Sequence, residues 1–168
     1  KIIVLDRGAI QQIGSAAEIY HKPANTMVAR FVGSPQMNFL QGEMDPNGAG
    51  FRIGDLSLEL AGGVKNALQR FAGRALTIGV RPEDFAPVDA GPAWISGEIE
   101  LIEDLGSDRF LHIKCAGIDL VARAGKEGKF RPGERTGLNV AIDAMHFFHD
   151  GKRLEPWPAA VEFLFRSL

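Results

Sequence analysis

The sequence runs to 168 residues, with 45% hydrophobic and 24% charged side chains, a globular balance that excludes a wholly disordered chain. Lys and Arg number 19 against 21 Asp and Glu, a net charge of −2, which argues against a general electrostatic grip on nucleic acid or anionic lipid. A single cysteine excludes an internal disulfide framework and fits a reducing compartment, and no apolar run approaches the ~20 residues of a bilayer-spanning helix.

The chain begins Lys1-Ile2-Ile3-Val4-Leu5, without an initiator Met or a signal-peptide pattern, and reads as a piece of something longer. Ile2 to Leu5 is a short apolar strand, Asp6-Arg7-Gly8 a turn, and Ala9 to Ile13 a second strand, together a β-hairpin. Ser15 with Glu18 three residues on is a capping box that opens a helix, and Pro23 stops it. Asn25 caps a second helix, which Gly33 closes. Near Ser34-Pro35-Gln36 the apolar period changes from 3.6 to 2, and the main boundary is placed there.

Alternating strands follow at Asn38–Met44, at Phe51 and Ile53, at Leu56–Leu60 and at Leu76–Val80, with a short helix over Val64–Phe71. The second half repeats the habit at Glu98–Leu101, Phe110–Cys115, Ile118–Arg123 and Leu138–Asp143. One apolar face per strand predicts a sheet that packs a core on one side, and short strands of this kind close their edges by curling into a small barrel. Val161, Leu164, Phe165 and Leu168 fall on one face of a terminal helix after Pro158. The expected architecture is mainly β: an OB-like barrel preceded by a β-hairpin and two short helices, with a C-terminal helix. Its expected divisions are 1–34, 35–155 and 156–168.

Four stretches carry a family resemblance. Residues 1–40 resemble the end of the nucleotide-binding domain of ABC importers. "IGVRPEDF" at 78–85, "EDLGSDRFLHI" at 103–113 and "HFFHDGKRL" at 146–154 resemble the transport-associated OB (TOBE) domain, a MOP-like barrel that follows it. "GSPQMNFL" is most similar to the sugar-importer branch, with maltose-type and glycerol-3-phosphate-type ATPase subunits. The resemblance implies a non-catalytic regulatory and dimerisation module. It implies a homodimer through the barrel, and permease subunits and a regulatory protein as partners of a parent at the cytoplasmic face of the membrane. It also implies that the hairpin, without its ATPase neighbours, docks on another chain or folds back on its own barrel.

Arg81-Pro82-Glu83-Asp84 and Phe148 are the candidate contact residues. Arg81 shares a strand face with Thr77 and Gly79, opposite the core residues, and a small face beside a strand-end Arg suits approach by another surface. The alternative is that Arg81 pairs with Glu83 and fixes the turn. Pro82 suits the first position of a helical turn, whose positive end favours Glu83 and Asp84.

No catalytic, cofactor or metal residue is assigned. Gly125-Lys126-Glu127, Gly128-Lys129-Phe130 and Gly151-Lys152-Arg153 all lack the hydroxyl that completes a phosphate-binding loop, and Asp6 is followed by Arg7-Gly8 rather than a catalytic Glu. Leu60-Ala61-Gly62-Gly63-Val64 lacks the Ser and Gln of a signature loop and reads as a strand-to-helix turn. ATP and Mg²⁺ are expected only in the full-length parent. His146 and His149 read as strand residues on opposite faces rather than a metal pair, and Cys115 as a core residue opposite His112. Two other functions remain open: a small-ligand (sugar or oxyanion) sensor, and a nucleic-acid OB domain, against which stand the charge and the 8% aromatic content.

Overall fold

The structure is a computed structural model that describes residues 1–48, 50–60, 62–88 and 91–155. The expected terminal helix at 161–168 lies outside the described residues.

Strands β1 (Ile2–Asp6) and β2 (Ala9–Gly14) pair antiparallel as their own two-stranded sheet. Helix α1 (Ala16–His21) follows at once. Its capping box is complete: Ser15 Oγ accepts from the Glu18 amide, and Glu18 Oε2 accepts from the Ser15 amide at 2.7 Å. The sharp entry turns α1 back across the hairpin, so Val4 packs on Ile19 and on Val28 of α2 (Thr26–Phe31). Asn25 caps α2 through its side chain, 2.9 Å from the Val28 amide. The hairpin therefore folds on its own helix pair and not back on the barrel, one of its two expected resting places. Ile2, Ile3, Leu5, Ile10 and Ile13 stay about half exposed, and a groove of about 740 Å³ runs between β1, α1 and Phe31.

The remaining strands make two curled sheets. One runs in the order β13 (Lys152–Leu154), β12 (His146–His149), β6 (Ala75–Val80), β3 (Asn38–Met44), β4 (Gly50–Ile53), β5 (Leu56–Glu59). The other runs β10 (Ile118–Ala124), β9 (Arg109–Cys115), β8 (Ile95–Asp104), β11 (Arg135–Val140), β7 (Phe85–Val88). Every pairing is antiparallel. Alternation places Leu40, Ile78, Leu111, Ile113, Leu120 and Leu138 in one shared core between the sheets, with α3 (Gly62–Leu68) closing one side through Val64 and Leu68. This is the mainly β, OB-like barrel that the alternation predicts.

Two local expectations change. The strand expected to reach Asp143 stops at Val140, and Ile142–Ala144 makes a 3₁₀ turn with the Ala144 amide bonded to the Ala141 carbonyl. β7 was not expected; it pairs only with β11, and Pro87 is tolerated there because the outer side of an edge strand needs no N–H.

The two sheets are stitched by one side chain. Asn38, 7% exposed, accepts from the Val121 amide at 2.7 Å and donates to the Val121 carbonyl at 2.8 Å and the Val80 carbonyl at 3.0 Å. β10 is an edge strand, and the carboxamide stands in for the neighbour that its Val121 lacks.

Candidate functional site at the helix–barrel junction

β6 ends at Val80 and delivers Arg81 into the interior. Its side chain is 2% exposed. Nη1 donates to the Val32 carbonyl at 2.8 Å and Nη2 to the Tyr20 carbonyl at 2.5 Å. Those carbonyls belong to the last turn of α1 and the C-cap of α2, positions where a helix has no amide left to offer. The guanidinium also lies over the Tyr20 ring, 3.5 Å from its centroid, a cation–π geometry that is worth most when water is excluded. Gly33 makes room: its φ is +122°, and a Cβ there would stand 2.9 Å from Arg81 Nη1.

The circuit closes outside. The Tyr20 hydroxyl donates to Glu83, so the Tyr20 phenol is pushed up to about 12, by burial first and by its bond to Glu83 second. Pro82–Asp84 is a 3₁₀ turn with Pro82 first, as its composition predicts. Asp84 is partly buried, and its carboxyl is raised by burial and then by the charge of Glu83.

The candidate residues thus separate. Arg81 does not face an incoming surface, and it does not simply pair with Glu83: its face of β6 is already covered by this chain. Gly79 on that face lies against Met37 and Phe148. Phe148 is 1% exposed, packed with Ala29 and Met37. Pro82 is buried too. Glu83 and Asp84 remain at the surface, partly exposed. Sequence reasoning missed Tyr20 and Asn38. Tyr20 is the only tyrosine in the chain, but nothing local announces that its carbonyl and hydroxyl meet a motif 61 residues away.

His146 stacks beside Phe148, with ring centroids 6.5 Å apart, while His149 Nδ1 lies 3.0 Å from the Ala75 carbonyl. The two rings engage different neighbours. Among the described residues no three His, Cys, Asp or Glu side chains group as metal ligands. Cys115 is buried on the core face, where burial pushes its thiol up; His112 on the other face lies 3.4 Å from Glu103.

Burial, and after it Arg153, Arg81 and His21, hold the His146 ring down at about 4 against an ordinary 6.5. A base depressed in the folded state binds fewer protons than in the unfolded chain, so stability is complete above about pH 6.5 and falls as pH drops toward 4. Asp84 nearby, with a raised carboxyl, works in the opposite sense. His146→Phe is therefore expected to flatten the loss of urea stability between about pH 6.5 and 4; an unchanged slope rejects this account.

Comparison with known proteins finds two domain families along the chain. A family model described as "MalK OB fold domain" matches residues 33–85, and one described as "TOBE domain" matches 78–148. The trehalose/maltose import ATP-binding protein MalK of Thermococcus litoralis is 34% identical over 156 residues, which cover 88% of this chain and 42% of that protein. The sn-glycerol-3-phosphate import ATP-binding protein UgpC of Chromobacterium violaceum is 36% identical over 149 residues, 88% of this chain and 39% of its own. UgpC of Escherichia coli K12 is 33% identical over 153 residues, 90% and 42%. The chain spans about two fifths of the length of these curated relatives.

Proposed function

We propose that this chain, which belongs to the MalK-type OB-fold and TOBE domain families, is the non-catalytic regulatory and dimerisation part of an ABC importer's ATP-binding subunit. The parent would couple ATP hydrolysis to uptake of a sugar or glycerol-phosphate-type solute, with permease subunits as partners at the inner face of the membrane. The observation that carries this reading is the unbroken tiling of both domains over residues 33–148, in a chain whose relatives are named as import ATP-binding proteins. ATP and Mg²⁺ belong to the nucleotide-binding part of such a parent. No helix among the described residues is long and apolar enough to cross a membrane.

The physical role follows from where the barrel would stand. A contact that persists away from the nucleotide keeps two ATP-binding domains at high effective concentration while their catalytic faces part and rejoin. On the five-stranded sheet, Leu101 and Leu105 are 55% and 61% exposed, at the end of β8 and in the turn after it. These are the apolar side chains that a second copy would cover. The Glu83–Asp84 pair is the surface offered to a regulator.

Equilibrium sedimentation at high micromolar concentration is expected to give a dimer. The double variant Leu101→Glu/Leu105→Glu is expected to sediment as a folded monomer. A wild-type chain that is a strict monomer at that concentration overturns the dimerisation role.

A further inference from the structure

We propose that Arg81, Tyr20 and Glu83 form a latch that holds the α1–α2 pair on the barrel and, through the same contacts, fixes the Glu83 carboxylate at the barrel surface.

The helix pair meets the barrel at two ends. At the start of α2 the attachment is backbone: the Thr26 amide donates to the Gly151 carbonyl at 2.9 Å, and the Arg153 amide to the Ala24 carbonyl at 3.1 Å. Those bonds hold the pair only at residues 24–26. Six residues on, about 9 Å along the helix axis, the attachment is made by side chains. There Arg81 holds the terminal carbonyls of both helices at once. Ala29 packs on Met37 and Phe148 between the two ends, and Arg30 lies over Phe39.

Arg81 is a costly choice for mere packing. A buried guanidinium loses its hydration, and its Nε has no partner among the described residues. Replacing such a group by an apolar one of similar volume is often neutral or stabilising. What only the planar fork supplies is simultaneous capture of two carbonyls in fixed geometry. The ring beneath it extends the hold to the surface, because Tyr20 contributes its carbonyl to Arg81 and its hydroxyl to Glu83. Displacing α1 must break both contacts, so the order of Glu83 depends on the seating of α1.

Amide hydrogen exchange by NMR on the whole chain tests this, since local opening and global unfolding separate residue by residue. The Lys22 and Val32 amides, bonded to Glu18 and Val28 carbonyls, report the helices; those of Ile113 and Leu120 report the barrel. Arg81→Met is expected to speed exchange at Lys22 and Val32 by at least ~10-fold while Ile113 and Leu120 change far less. Equal acceleration at all four sites, or none, overturns the latch. Tyr20→Phe keeps the ring and removes only the hydroxyl. It and Glu83→Gln are each expected to speed exchange at Lys22 several-fold, and the double variant no more than the larger single one, as a shared contact requires. Additive or absent effects overturn the link to Glu83, and this pair decides the matter even where Arg81→Met does not fold.

Discussion

Asn38→Ala is expected to destabilise the chain by about 2–4 kcal/mol. The substitution removes three hydrogen bonds made by a buried carboxamide. The larger part of the cost is what it leaves behind: the Val121 amide and carbonyl lose their partner in a place that water reaches poorly, and an unmade buried bond costs more than a made one contributes. Asn38→Leu restores volume without restoring polarity, so it is expected to recover little. Asn38→Asp keeps the acceptor for the Val121 amide but puts an acceptor against two carbonyls, and is expected to be at least as damaging as alanine at neutral pH. Urea unfolding monitored by circular dichroism measures each difference, with the midpoint falling and the slope unchanged. A loss below about 0.5 kcal/mol for Asn38→Ala contradicts the role given to this residue.

Gly42→Ala and Gly97→Ala are each expected to cost about 3 kcal/mol or more, or to prevent folding. A Cβ on Gly42 would stand 2.1 Å from the Arg52 carbonyl oxygen, and one on Gly97 would stand 2.4 Å from the Lys114 carbonyl oxygen. Both obstacles are backbone, which cannot rotate aside as a side chain can. The two places are counterparts. Gly42-Glu43 precedes the pairing of Glu43 with Arg52 in one sheet, and Gly97-Glu98 precedes the pairing of Glu98 with Lys114 in the other. In each, a strand crosses its neighbour closely where the sheet bends, as a small barrel requires. Gly125→Ala is the control: nothing lies within 4 Å of the added carbon and its φ is not positive. It is expected to change stability by less than about 0.5 kcal/mol. Thermal melts of the three variants suffice, and comparable losses in all three contradict the close-crossing explanation.

The legible parts of the fold are those set by local chemistry. The capping box at Ser15 and Glu18, the Asn25 cap, the Pro82 turn and the alternation from Asn38 to Met44 depend on neighbours a few residues away, and each stands where the sequence puts it. What failed was contact across the chain. Alternation gives the face of Arg81 but not what covers that face: Met37, in the connector before β3, and Phe148, on β12, come from far along the chain. β7 is only four residues long with Pro87 inside it, too little to announce a strand, and only the sheet order shows it to be an edge strand. The hairpin, expected on another chain or on the barrel, finds a nearer partner through the helix cap that folds α1 over Val4.

The stitch at Asn38 also bears on how two copies could meet. The five-stranded sheet has two margins, β10 and β7. The middle of the first is occupied by the chain's own carboxamide, and the second carries a proline with no hydrogen to give. Neither margin can readily recruit a foreign strand, the commonest route from such sheets to runaway polymerisation. Association of two copies would then fall to side chains on the sheet's outer face, which can vary without disturbing the barrel beneath.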